Sequence, residues 1–171
     1  MHLDWSEVYR EHYGSLVRFL YRRTGDQARA EDLAQEAFVR ALEHRPEHPR
    51  AWLFAVALNL VRDEGRHESV HRRHLTLIRT DAQRERAEPP PDVTAERKQD
   101  VERVRAALAE LAERDRDALL LREEGFSYEE IAEQLELAPG SIGTTLARAR
   151  RRLVETYERL ERKREDRDVA H

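Results

Sequence analysis

Apolar residues recur along this chain three and four positions apart, the spacing that lines one face of a helix. The first such stripe is Trp5, Val8, Tyr9, Leu16, Phe19 and Leu20. Asp4 stands before it as a capping residue and Glu7 completes a capping box, so a helix is predicted over residues 4–23, ended by Gly25. Asp26 can start a second helix over 26–44, with Ala30, Leu33, Ala37, Phe38 and Leu42 inward. Pro46 and Pro49 bound a short loop, and a third helix over 50–71 turns Trp52, Leu53, Val56, Leu60 and Val61 inward. A Trp on that stripe packs in a core more readily than it stacks on a base.

The periodicity fails over residues 72–94, where AEPPPD cannot be helical. Proline lacks the N–H donor and pushes the residue before it into extended geometry. The pattern returns at Val101, Val104, Leu108 and Leu111, and a further helix over 115–124 stops at Gly125. Residues 127–153 then read SYEEIAEQLELAPGSIGTTLARARRRL. Ser127 and Glu130 form a Ser-x-x-Glu capping box ahead of Ile131, Ala132 and Leu135. Leu137 and Ala138 make a break, and Pro139 suits the first turn of a second helix. That helix turns Ile142, Leu146, Ala149 and Leu153 inward and carries Thr144, Thr145, Arg148, Arg151 and Arg152 on its other face. Two short helices across a tight turn, the second rich in hydroxyls and arginines, make a helix-turn-helix that fits the DNA major groove.

The predicted fold is all-α: two small helical domains joined by a proline-containing linker, the second ending in the helix-turn-helix. The domains span residues 1–74 and 97–165, with a linker over 75–96 and a frayed tail over 166–171. Composition agrees. The chain has 171 residues, 39% hydrophobic and 39% charged, enough for two small helical cores and too polar for one large one. A formal net charge of −4 excludes a protein that simply coats DNA. Charge is segregated instead: residues 31–36 are acidic and residues 148–152 basic, which suits two kinds of partner. Without cysteine there is no disulfide, thiolate metal site or cysteine nucleophile. The amino-terminal MHLDWSEVYREHY carries charges where a signal peptide needs an apolar core, and no apolar run reaches membrane-spanning length. A soluble, cytoplasmic protein with no membrane insertion is expected.

One motif is set aside. His67, Glu68 and His71 spell HExxH, with His74 as a further imidazole, and histidines four apart on a helix face one side and can hold zinc. The segment has arginines at Arg66, Arg72 and Arg73 and no apolar shell to exclude water. Neither a metal site nor another cofactor is expected, and no enzyme activity.

Three strings together resemble the group 4, extracytoplasmic-function (ECF) sigma factors of bacterial RNA polymerase, in the order of that family: AEDLAQEAFVRAL at 30–42, AWLFAVALNLVRDEGR at 51–66, and LAERDRDALLLREEGFSYEEIAEQLELAPGSIGTTLARARRRL at 111–153. The resemblance implies a subunit that brings core RNA polymerase to promoter DNA, melts and reads the −10 element with the first domain and reads the −35 element with the second. It implies docking on core polymerase through Asp32, Gln35, Glu36 and Arg40. It implies −10 contacts from Asn59, Arg62 and Arg66, with Arg45 and Arg50 on the adjoining loop and Asn59 at the pocket for a flipped base. Asp63 would be repelled by phosphate and is expected to orient Arg66 or cap a neighbour. On the −35 side it implies Thr144, Thr145, Arg148, Arg151 and Arg152, with Arg148 nearest a base edge and Arg151 and Arg152 on phosphates. An anti-sigma factor is a further implied partner.

The chain departs from the family pattern at Gly143, Thr144, Thr145 and Ala147, which makes the reading helix less basic, and at Leu58, Ala112 and Ala138. The competing reading is a helix-turn-helix regulator that binds duplex DNA without being a polymerase subunit. The first domain discriminates, because such a regulator has no need of an Asn- and Arg-bearing helix beside an acidic one.

Overall fold

The computed structural model describes residues 4–74 and 95–169, and the side chains of 4–67 and 95–169. Every regular element among them is helical: α1 Trp5–Thr24, α2 Gln27–His44, α3 Pro49–His74, α4 Ala95–Glu110, α5 Glu113–Glu123, α6 Tyr128–Leu135 and α7 Ile142–Val169, with a 3-10 turn Pro139–Ser141 before α7. The chain divides into two compact units between Ala87 and Glu88. The predicted linker over 75–96 lies outside the described residues except for its last two positions, which begin α4.

In the first unit α1, α2 and α3 pack on one another. Asp4 caps α1 through its carboxylate on the Ser6 N–H at 2.9 Å, rather than on the N–H of Glu7. Asp26 caps α2 through the Arg29 N–H at 3.0 Å. Gly25 ends α1 at φ 74°, a left-handed conformation that glycine adopts without a Cβ clash. Arg45 ends α2 in the same region at φ 46°, with its N–H on the Ala41 carbonyl at 2.8 Å. The core centres on Phe19 and Phe54, whose rings meet edge to face at 5.0 Å, with Leu16, Leu20, Leu53 and Leu58 fully buried around them.

Leu42, Trp52, Val56 and Tyr9 do not take the inward positions expected of them. Leu42 is 51% exposed, and Trp52 and Val56 are only half-buried. The buried positions of α3 are Leu53, Phe54, Ala57, Leu58, Leu60 and Val61. Leu53, Phe54, Ala57, Leu58 and Val61 follow the 3.6-residue repeat, which rotates the helix away from the expected stripe and puts Trp52 at its margin. There the indole lies 5.6 Å from the His44 ring. Tyr9, also expected inward, is largely exposed, its ring stacked at 4.5 Å on Tyr13 and edge-on to Phe38 at 5.0 Å.

In the second unit α5 packs on α6 and α7, and α4 on α7. Phe126, Leu121, Ile131, Ile142 and Leu146 are fully buried. The Ser127 capping box forms in both directions: Glu130 N–H donates to Ser127 Oγ at 3.2 Å and Ser127 N–H donates to Glu130 Oε2 at 2.7 Å. Gly125 takes φ 86° between α5 and α6. Of the expected tail over 166–171, residues 166–169 continue α7, which is helical to Val169. The stretch of α7 just before them is tied to α4 by Arg103 to Glu161 at 3.1 Å, by Arg159 to Glu110 and by Arg164 to Gln99 at 3.3 Å. Single exposed pairs contribute little, but together with the packing of α4 they hold the helix past the point where its apolar stripe ends.

The start of α5 anchors α7. Asp115 is 1% exposed. Its carboxylate accepts from Arg148 Nη2 at 2.6 Å and Nε at 3.3 Å, and from Arg152 Nη1 at 3.0 Å. The Arg148 hydrogen bond holds the carboxyl below its ordinary range against the opposing effect of burial, and the charges of Arg148 and Arg152 act the same way.

Two stability predictions follow from this unit. A Cβ added at Gly143 would meet only the Tyr128 ring, at an ordinary 3.7 Å. Gly143→Ala should therefore stabilise the protein by about 0.4–1 kcal/mol, seen as a higher denaturation midpoint, because it restricts the unfolded chain without a native clash. For Asp115, whose folded pKa is lowered, the pairing contributes fully above the unfolded value, about 3.9, and is lost as pH falls through the folded value. Asp115→Asn should cost about 1–3 kcal/mol near neutral pH. In unfolding titrations at several pH values, that gap should stay constant down to about pH 4 and narrow below it.

Candidate functional site

On α2 the residues Asp32, Gln35, Glu36 and Arg40 are all exposed. They lie three, four and eight positions apart, so they share one side of the helix while Leu33, Ala34, Ala37, Phe38 and Ala41 fill the core side. Arg40 Nε pairs with Glu36 Oε1 at 2.7 Å, which leaves Asp32 and Gln35 as the open part of the polar row. Val39 at 52% exposure and Leu42 at 51% add an apolar edge that the sequence reading missed or turned inward. Val39 stands four positions from Gln35, so a partner on this face meets carboxylates and aliphatic surface together.

On α3 Asn59 is exposed, flanked by buried Leu58 and Leu60. Arg66 is exposed about two turns further on, with Nη1 3.7 Å from Asp63 Oδ1, an exposed ion pair beyond hydrogen-bond distance. Arg62 is half-buried. At the opening of the helix, Arg50 lies with its guanidinium 5.9 Å from the centre of the Phe54 ring, while Arg45 is exposed at the left-handed end of α2. Asn59 carries both an amide donor and a carbonyl acceptor, which pairs with a base edge. The arginines supply cationic and planar surface for phosphate or base. Of the HExxH stretch, only the side chain of His67 falls within the described residues, where it is exposed.

On α7 the structure corrects the predicted reading set. Thr145 is buried and faces the core, since it lies three residues from buried Ile142 and four from buried Ala149. Thr144 is exposed, but its hydroxyl donates to the Ser141 carbonyl at 3.1 Å. The one hydroxyl proton is thereby used, so Thr144 can offer an outside partner only acceptor lone pairs. Arg151 is exposed, as are Arg150 and Ala147. Arg148 and Arg152 remain 41% and 52% exposed even though both are bound to Asp115. A tyrosine that the sequence reading passed over flanks the start of α7: Tyr128, with the Arg122 guanidinium 5.4 Å from its ring centre. Asp115 was missed too, because a pair 33 residues apart leaves no periodic trace.

Against known families, residues 8–70 match Sigma-70 region 2 and residues 101–153 match Sigma-70, region 4. The chain is 35% identical over 163 residues to the ECF RNA polymerase sigma factor SigL of Mycobacterium tuberculosis, covering 90% of this chain and 88% of that one. It is 30% identical over 154 residues to the RNA polymerase sigma factor YlaC of Bacillus subtilis, covering 84% and 86%. Among solved structures it is similar to the sigma factor RpoE in its complex with the anti-sigma factor NepR from Bartonella quintana, with a TM-score of 0.72 and 25% identity over 91% of this chain and 97% of that one. A helix-turn-helix regulator outside the polymerase would not account for the region 2 match across the first unit. With all-helical units matching both regions in order, the chain belongs to the ECF group of the sigma-70 family and is a promoter-directing sigma factor of RNA polymerase.

Proposed function

We propose that this chain divides promoter initiation among three surfaces. The α2 face of Asp32, Gln35, Glu36 and Arg40, with Val39 and Leu42 beside it, docks on core RNA polymerase. Asn59, Arg62 and Arg66 of α3, with Arg45 and Arg50 at its opening, capture the opened −10 strand. Thr144, Arg148, Arg151 and Arg152 of α7 contact the −35 duplex, and Thr145 drops out of that set because it is buried. The observation that carries this reading is the exposure of Asn59 between two buried leucines, a base-pairing amide on an otherwise packed helix.

The protein acts as a non-catalytic subunit in the cytoplasm, where its polymerase partner works. No helix of the described residues is long and apolar enough to cross a membrane. The sigma factor RpoE of Bartonella quintana was solved with an anti-sigma factor bound, and by similarity an anti-sigma partner is proposed here as well.

The test is run-off transcription by core polymerase with the full chain on its own promoters. Transcription that never exceeds core polymerase alone would sink the proposal. Asp32→Arg and Glu36→Arg should each weaken core binding more than twofold with helicity unchanged, since exposed charges barely affect folding. Binding within twofold of wild type for both would remove α2 as the docking face. Asn59→Ala should reduce open-complex formation on duplex promoter much more than on a template already mismatched at −10. Equal losses on the two templates would make Asn59 structural.

A further inference from the structure

Asp115 cannot face DNA favourably, yet it fixes what two of the proposed −35 contacts present. It comes from α5, and its side chain is 2% exposed. The carboxylate binds Arg148 through Nε and Nη2 and Arg152 through Nη1. Both side chains keep solvent-facing area, and each guanidinium has donors that the carboxylate does not use: Nη1 on Arg148, Nε and Nη2 on Arg152. A guanidinium is a rigid planar fork, so fixing one edge fixes the direction of the donors that remain. A free arginine would lose rotamer freedom on reaching a base; one already held by a buried carboxylate has lost it beforehand. The carboxylate also cancels one of the two positive charges, which lowers attraction to any phosphate regardless of sequence.

We infer that Asp115 is a positioning residue for promoter reading: from α5 it holds Arg148 and Arg152 in one arrangement on α7 and trades sequence-independent affinity for discrimination. This rests on the reading that α7 contacts the −35 duplex. The arrangement suits the chain because Gly143 and Ala147 offer no long donor and the Thr144 hydroxyl proton is spent on Ser141. Discrimination by α7 then falls to side chains beyond its first turn, where an unsupported arginine would find phosphates as readily as bases.

The experiment uses holoenzyme assembled from core polymerase and the full chain. The probes are a promoter duplex selected from a library randomised at −35 and versions with single −35 bases changed, at two salt concentrations. Asp115→Asn should reduce the preference for the selected duplex about fivefold or more, the scale of one lost bidentate base contact. It should also steepen the salt dependence by about one unit, as a second unneutralised arginine becomes available to phosphate. A preference within twofold of wild type overturns the proposal. So does an equal weakening on every duplex with an unchanged salt slope, the signature of a tie that only holds the fold. In an Arg148→Ala background Asp115→Asn should change the preference no further, and additive losses overturn the proposal too. If Arg148→Ala and Arg152→Ala by themselves alter neither preference nor salt slope, the −35 reading fails first and the positioning role with it. Should the Asn variant lose helicity, Asp115→Glu keeps the charge and displaces the guanidiniums. It should lower the preference with a wild-type salt slope, and an unchanged preference overturns the proposal.

Discussion

Burying the carboxylate of Asp115 against two arginines of another helix is the constraint around which the second unit is arranged. Such a carboxylate is costly to take out of water alone, and it persists because its partners complete it. The consequence is geometric. Helix α7 cannot turn about its axis or slide along α5 without breaking three hydrogen bonds, so the apolar anchors Ile142, Leu146 and Ala149 and the ionic anchor fix the same orientation. The reciprocal capping box at Ser127 and Glu130 sets where α6 starts. The left-handed Glu136 at φ 55° sets where it ends. With both ends of α6 fixed and the roll of α7 fixed, the turn between them has little freedom left.

The first unit is built on a different balance. Its core is aromatic and aliphatic, with Phe19 against Phe54 and small alanines at 30, 34, 37 and 41 that let α2 approach closely. Leu33 and Phe38 fill the rest of that inner face, while Val39 and Leu42 stand on the outside. Apolar surface beside Asp32 and Glu36 is compatible with the proposed docking face, whose core would be aliphatic and whose rim would be charged. The polar row gives direction and the aliphatic edge gives area.

What the sequence made legible was local. Asp26, Ser127, Gly25, Gly125 and Pro139 act within a few residues of themselves, and each sits at the helix end or turn expected of it. Errors came where a helix had to be rotated by one position. Trp52 and Leu42 read inward because they are large and apolar, whereas the packing buries Ala37 and Ala41 on α2 and Leu53, Phe54, Ala57 and Leu58 on α3. Thr145 was counted outward because it carries a hydroxyl, although its methyl and its spacing from Ile142 suit the core. The carboxyl-terminal stretch was taken for a tail because its apolar stripe is weak. Pairing of Glu161, Arg159 and Arg164, just before it, with Arg103, Glu110 and Gln99 of α4 supports the helix that runs into it, and those partners are about fifty or more residues away. The candidate site shows the same division: exposure of Asp32, Gln35, Asn59 and Arg151 could be read from periodicity, but the Asp115 clasp could not.

That division bears on how such a small protein reads DNA. A recognition helix that begins with glycine, a back-bonded threonine and, four positions later, an alanine has little reach in its first turn. Reach returns at Arg148, one and a half turns in, where a flexible cation would by default settle on the backbone. Holding that cation by a carboxylate from a neighbouring helix restores direction without lengthening any side chain. The residue that matters for reading then need not lie on the reading helix, and a substitution in α5 can alter what α7 presents while leaving its sequence intact.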